Sequence, residues 1–321
     1  MSVTSIIITT HNRPNLLRRA VESAFKAGQN VEVVVVDDAS IDETSTICGS
    51  LSGIKYVRTD HRQRVAGARN VGLLASTGEY LTFLDDDDLR VPESIDRQVE
   101  ILEAKPEAGM IYGQAICADQ QHQITRIYPQ DLPQGDVFWN LLDQNFIPCG
   151  SAVFRRSCLE RVGLLDDALY GIDDWDLWIR IAELFPILAW PEPAIHWRRS
   201  TPASGQGTSQ ASAIVSGSVK QFRECWMKLP VAKQASEKMR RDAWRRFSTN
   251  MAAHLCWETM RCISHRKPRQ AAQNCFALSR LGPLASLRLA REYLNSYHFR
   301  RIALKLGVTS PSLNGAIKRT R

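Results

Sequence analysis

The chain has 321 residues, 44% apolar and 23% charged, enough for one large α/β domain or a domain with an appendage, and far from the composition of a disordered chain. No run approaches the roughly 18 apolar residues of a membrane span, Met1-Ser2-Val3-Thr4 has no signal-peptide character, and the eight cysteines show no C-x-x-C spacing. An integral membrane protein, an exported disulfide scaffold and a zinc module are therefore disfavoured, and a cytoplasmic chain with reduced thiols is expected. The net charge of +7 conceals a split: residues 1–214 carry 19 Lys and Arg against 29 Asp and Glu, and residues 215–321 carry 22 against 5. Such asymmetry points to two regions with different partners.

Ser5 to Thr9 and Val31 to Val36 are β-branched runs of the kind buried on both faces of a parallel sheet. Between them Pro14 to Ala27 has apolar residues at helical spacing, opened by Pro14 and stopped by Gly28, which makes a βαβ unit. The alternation continues with a helix near Asp42 to Leu51, a strand over Ile54 to Arg58, a helix over Val65 to Ala75 and a strand over Tyr80 to Leu84. Pro92 opens a helix to about Ala104, and Gly109 to Cys117 reads as a strand. This half is doubly wound α/β. From Phe138 to Arg199 elements are shorter and mixed, with a helix over Asp174 to Leu184 and a strand or loop around Ala194 to Trp197. Residues 206–218 read as a linker or mobile loop within a stretch rich in Ser, Gly, Ala, Thr and Gln. Helices are expected near Val219 to Met227, Val231 to Ile263, Arg269 to Leu281, Leu284 to Tyr297 and Phe299 to Leu306.

Asp85-Asp86-Asp87-Asp88 directly follows an apolar strand. Four adjacent carboxylates repel one another, and a hard cation such as Mg²⁺ or Mn²⁺, which takes one or two carboxylates plus phosphate oxygens, removes that conflict. Asp37-Asp38 also ends a strand; it suits either a ribose or base contact or the capping of the next helix. The first βα junction, Thr9-Thr10-His11-Asn12-Arg13-Pro14, contains no G-x-G-x-x-G, against an ordinary dinucleotide fold. Asp173-Asp174-Trp175-Asp176-Leu177-Trp178 places acids at a helix start, as caps or as a general base. Arg69-Asn70, on a helix flanked by glycines, reads as a surface pair or as a phosphate contact.

These motifs, in this order, resemble family 2 glycosyltransferases of the GT-A fold: Thr9 to Pro14, Val35-Val36-Asp37-Asp38-Ala39-Ser40, Gly67-Ala68-Arg69-Asn70-Val71-Gly72, Phe83 to Asp88, and Ile172 to Arg180. The resemblance covers roughly Ser2 to Arg199 and implies a Rossmann-like, mixed-sheet domain. By it, Thr9, His11 and Arg13 line a nucleotide pocket, Asp38 holds the base or ribose, and Arg69 lies near the diphosphate. Asp85 to Asp87 form a D-x-D motif facing the nucleotide sugar, with Asp87, and Asp85 beside it, as ligands of Mn²⁺ or Mg²⁺. Asp174 matches the catalytic base, and Asp173, Trp175 and Arg198 fall on the acceptor side. Trp175, Trp178 and Trp197 are open to two readings, sugar platform or core. The chain departs from the family pattern at Asp173-Asp174, where Glu-Asp is frequent, and at His196-Trp197-Arg198-Arg199, where Tyr-Arg-x-His is common. It also lacks the Q-x-x-R-W signature of processive synthases.

The resemblance thus implies inverting transfer of a single sugar from a nucleotide-diphosphate sugar to a glycan or lipid-linked acceptor, in surface polysaccharide or lipopolysaccharide assembly. The expected organisation is a GT-A domain over 1–205, the linker, and a basic helical region over 219–321. For the basic region the leading expectation is an anionic membrane surface rather than nucleic acid. A helix-turn-helix around Arg301 to Leu313, a solvated helical cap and an inactive sugar-nucleotide-binding scaffold are the alternatives.

Overall fold

The computed structural model describes residues 2–118, 124–198, 211–264 and 266–281. Its centre is a nine-stranded mixed sheet. β1 (Thr4–Thr10) lies between β2 (Val31–Asp37) and β4 (Tyr80–Asp85), and β3 (Ile54–Arg58) flanks β2, all four parallel. Ile6, Ile7 and Ile8, and Val33 to Val36, are 0–1% exposed, as expected of strands covered on both faces. The register sets Thr10 opposite Asp37 and Thr9 opposite Asp85. Three strands therefore end at one level, at the carboxyl edge where open α/β sheets bind ligands.

Helices cover this half as the periodicity predicts. α1 (Pro14–Lys26) buries Leu17, Ala20, Val21 and Ala24, followed by α2 (Thr44–Ser50), α3 (Arg64–Ala75) and α4 (Ser94–Glu103). α3 sits close to the sheet because residue 72 is glycine: a Cβ there would overlap Ile7 Cγ2 and come within 3.1 Å of Val36 Cγ2.

Beyond Asp88 the sheet turns mixed. β5 (Leu89–Arg90) runs antiparallel to β9 (Ile187–Arg198), which lies parallel to β6 (Met110–Ala118); β8 (Ala152–Arg155) joins β6 to β4, and β7 (Ile124–Tyr128) pairs with β6. Between these strands lie α5 (Phe138–Asp143), α6 (Arg156–Val162) and α7 (Asp173–Leu184). β9 is three times the length expected around 194–197. Pro191 and Pro193 interrupt its strand pattern, and the register with β6 shifts at Gln114, as prolines in strands require.

By contacts the chain divides into two units, Met1–Ser209 with Lys220–Ala235, and Gln210–Val219 with Ser236–Arg321. In the first, a turn of 3₁₀ helix at Trp226–Lys228 and α9 (Pro230–Gln234) follow the end of α8 (Ala211–Glu224). Gln221 Nε2 and Trp226 Nε1 both donate to Asp176 Oδ1 at 2.8 Å, which fastens this segment to α7. α8 includes 211–218, where a linker is expected; Ala211, Val215 and Ser218 recur at helical spacing and are buried. The expected helix over 231–263 is two, because Ser236 starts α10 (Glu237–Ser264) afresh and its hydroxyl accepts the Met239 N–H. In the second unit α10 and α11 (Pro268–Leu281) share a buried seam that includes Leu255, Cys262, Ala271 and Asn274. The helices expected over 284–297 and 299–306, the helix-turn-helix candidate and residues 206–210 lie outside the described residues.

Candidate active site

The four aspartates behind β4 have different partners. Asp85 Oδ1 accepts from Arg69 Nη2 at 2.8 Å. Asp86 accepts from the Thr10 hydroxyl at 2.7 Å and from Arg13 Nη1 at 2.8 Å. Asp88 accepts the Arg198 N–H at 2.8 Å, so it ties the turn to the end of β9. Asp87, 7% exposed, has no hydrogen-bond partner on either oxygen among the described residues. Its nearest ionic neighbour is Arg13 Nη1, at 3.7 Å. Burial, then Asp85 and Asp86, push its pKa up to about 7, and burial likewise raises Asp86 and Asp88. A buried carboxylate with no donor is an unfavourable arrangement that an external cation relieves.

The loops after β1 and β2 are stapled together. His11 Nδ1 donates to the Asp38 carbonyl at 2.7 Å, the Asn12 N–H donates to Ser40 Oγ, and Asn12 Oδ1 accepts the Ile41 N–H. Asn12 and Ala39 hold positive φ of 55° and 56°, strain of the kind retained at functional loops. Asp38 is 4% exposed, and its carboxylate accepts the N–H groups of Gln63 and Arg64 at 2.6 and 2.9 Å. It thereby holds the start of α3 and not that of α2, the helix that follows it in the chain. Asp37 is committed to Tyr56 and the Ser40 N–H. Thr9 is half-buried, next to Asp85 in register.

Arg69 is not a surface residue. Its Nη1 donates to Asp173 and its Nη2 to Asp85, both at 2.8 Å, and the guanidinium lies 5.1 Å from the centre of the Phe83 ring. Burial alone would lower its pKa, but Cys149 and the carboxylates of Asp173 and Asp85 hold it above the ordinary value. Arg69 thus joins the aspartate turn to the first residue of α7. Asn70 is used structurally: its amide exchanges hydrogen bonds with the backbone of Leu165 at 2.8 and 3.0 Å.

Asp173 and Asp174 differ through their partners. Asp173 is neutralised by Arg69. Asp174, half-buried, accepts its neighbour's Trp175 N–H at 2.7 Å and the Asn145 amide at 3.4 Å. Burial, with Asp173 beside it, pushes its pKa up to about 7, suited to accepting a proton near neutral pH. Asn145 and Cys149 are additions that the sequence does not signal. Asn145 lies in the loop after α5, its amide turned by the Ile147 N–H donating to Oδ1. Cys149 sits among Arg69, Asp174, Asp85 and Asp173, and burial raises its thiol pKa.

The tryptophans resolve in two directions. Trp175 is 4% exposed, donates to the Leu141 carbonyl at 2.7 Å and packs 5.0 Å from Trp226; Trp178 packs against Phe83 and Phe154. Both belong to the core, which corrects the placement of Trp175 on the acceptor side. Trp197, 6.1 Å from Tyr128, lines a recess beside Asp87 with Leu16, Arg19, Leu89, His196 and Arg198.

A parallel half-sheet with an acidic turn at its carboxyl edge, extended by antiparallel strands that carry a second acidic helix start, is the GT-A architecture. It is shared by a mannosyltransferase from Pyrobaculum calidifontis solved with GDP-Man and Mn²⁺, with TM-score 0.57 and 20% identity over 98% of this chain and 82% of that one. Residues 5–163 belong to glycosyl transferase family 2, whose model they match. An uncharacterized glycosyltransferase of Rickettsia felis is 31% identical over 57% of this chain, which spans 32% of that relative. An Escherichia coli UDP-Glc:alpha-D-GlcNAc-diphosphoundecaprenol beta-1,3-glucosyltransferase is 29% identical over 56% of this chain and 70% of its own.

Proposed function

We propose that the chain transfers a single sugar from a nucleotide-diphosphate sugar to a hydroxyl of a glycan or lipid-linked acceptor, with inversion, and that the reaction depends on a divalent ion, Mn²⁺ or Mg²⁺. The partition of the carboxylates carries this reading. Of six acids around Arg69 and Arg13, Asp87 alone lacks any hydrogen bond, and Asp174 is not neutralised by a cation. Among the described residues no three acidic, His or Cys side chains converge into a ready-made metal cage, which agrees with an ion held by Asp87, with Asp85 at its side, and otherwise by phosphate oxygens. Bound there, the ion would neutralise charge developing on the departing diphosphate. Arg13 adds positive charge at the same turn, and Thr9 and His11 border the nucleotide. Asp174 takes the proton of the acceptor hydroxyl, while Arg69 holds Asp173 and with it the start of α7. With the acceptor hydroxyl as nucleophile and Asp174 as base, a single displacement inverts the anomeric centre.

The lipid-linked acceptor of the Escherichia coli relative and the basic composition of residues 215–321 support a peripheral reading, in which the helical region contacts an anionic leaflet. Among the described residues no helix is long and apolar enough to cross a membrane. In the second unit Trp257, Ile263 and Phe276 are 38%, 60% and 60% exposed, with Arg266, Lys267 and Arg269 exposed nearby in sequence, a mixture of apolar and cationic groups suited to an interface. The test is transfer assayed on a panel of nucleotide sugars and polyprenyl-diphosphate sugars, with and without EDTA, followed by NMR of the anomeric proton. Transfer unaffected by EDTA, or a retained configuration, would remove the metal or the inverting step respectively.

A further inference from the structure

Arg13 lies directly before α1, and its guanidinium points into the aspartate turn instead of toward solvent. Nη1 is 2.8 Å from Asp86 Oδ1 and 3.7 Å from Asp87 Oδ2, and its side chain is 23% exposed against 1% for that of Asp87. Asp86 has a second donor in Thr10, whereas Asp87 has no hydrogen bond at all. The other cations near the turn are placed differently. Arg69 is pinned between Asp85 and Asp173 with its side chain 6% exposed. Arg198 reaches the turn through its backbone N–H on Asp88 and otherwise affects Asp87 by its charge. Arg13 is thus the cation that shares the Asp86–Asp87 pair and also has a way out to the surface.

We propose that Arg13 is the stand-in cation of this turn: it offsets the charge of Asp86 and Asp87 when no divalent ion is bound, and a divalent ion competes with it for Asp87. The inference rests on the reading that Asp87 holds the ion. Burying two adjacent carboxylates without a cation is costly, and in the ion-free protein Arg13 offsets that cost from 2.8 Å at Asp86 and 3.7 Å at Asp87. The apparent affinity for the ion is then reduced by the fraction of molecules in which Arg13 covers Asp87. Displacement frees a guanidinium at the mouth of the site, so ion binding and binding of an anionic diphosphate favour one another, reciprocally.

The test uses the full chain and Mn²⁺ alone, with binding read from the loss of the free-ion EPR signal and from thermal melting. Arg13→Gln is expected to lower the melting temperature of ion-free protein, to gain more from Mn²⁺ than wild type, and to bind Mn²⁺ about tenfold more tightly. Arg13→Lys, with charge kept but reach shortened, should fall between the two and serves if the glutamine variant does not fold. Affinity in Arg13→Gln, or in Arg13→Lys alone, equal to or weaker than wild type would overturn the stand-in role. Asp87→Asn separates the two readings: if it abolishes Mn²⁺ binding while the Arg13 variants change nothing, only this inference falls. If Asp87→Asn binds Mn²⁺ as wild type does, the assignment of the ion to Asp87 falls with it.

Discussion

Among the described residues Asp174 accepts only an amide from Asn145 and a backbone N–H, and burial pushes its pKa up to about 7. As a base it must be unprotonated, so kcat/KM is predicted to fall on the acid side with an apparent pKa near 7. Asp174→Asn keeps an acceptor for the Trp175 N–H but cannot take a proton; turnover should drop ~10²- to 10⁴-fold while the protein stays folded, as stable as wild type or more so above pH 7, where a carboxylate with a raised pKa is unfavourable. Asn145→Ala removes the donor to Asp174 and should shift the acid limb of the profile upward. An unchanged limb would mean that Asn145 only shapes its loop. Asp87 shows the same linkage where it bears on stability. Its folded-state pKa is raised to about 7, so the folded protein binds the proton more tightly than the unfolded chain. Stability from this group is greatest below about pH 4 and is lost as pH rises toward 7. Asp87→Asn should therefore stabilise ion-free protein at pH 8 by about 1–3 kcal/mol and have little effect at pH 4, as chemical denaturation at the two pH values would show.

At the scale of elements, the clamp between α7 and the chain that follows α8 bears on catalysis. Asp176 lies two residues beyond Asp174 and accepts from Gln221, Trp226 and Arg180. Trp226→Phe keeps the ring and removes the indole donor, and should destabilise the protein by about 1–2 kcal/mol, measured by urea unfolding. The elements before Asp88 were legible because each signal is local: apolar β-branched runs for β1 and β2, an aromatic and leucine run for β4, and 3.6-residue periods between them. Beyond Asp88, α4, β6, α7 and α11 carry equally local signals, but β5, β8 and the full length of β9 do not show in the sequence. β5 has two residues and β8 four, too few to show alternation, and β9 carries two prolines. The site divides in the same way. Asp85 to Asp88 are visible as a cluster, yet which of the four lacks a donor depends on Thr10, Arg13, Arg69 and Arg198, brought from other elements. Arg69 looked like a surface residue for the same reason, since its partners are 16 and 104 residues away. Asn145 acquires a role only through Asp174, on another element.

Over the whole molecule, charge separates an acidic 1–214 from a basic 215–321. Truncation after residue 218 is a poor probe of that asymmetry, because it removes Gln221 and Trp226 from Asp176. Reversing the charge of Arg266, Lys267 and Arg269 together, each exposed, leaves that clamp intact. Flotation with anionic vesicles at low salt should be lost in the triple variant and in wild type at high salt, where the Debye length shortens; equal flotation of both proteins would assign these three residues to a solvated surface. The most direct measurement on the site itself is calorimetric titration of the full chain with UDP, GDP, CDP and TDP, each with Mn²⁺ and each with EDTA. One nucleotide is predicted to bind with Mn²⁺, to lose its affinity with EDTA, and to lose it again in Asp87→Ala although that variant remains folded. Equal affinity with and without EDTA in the wild-type protein would contradict the account.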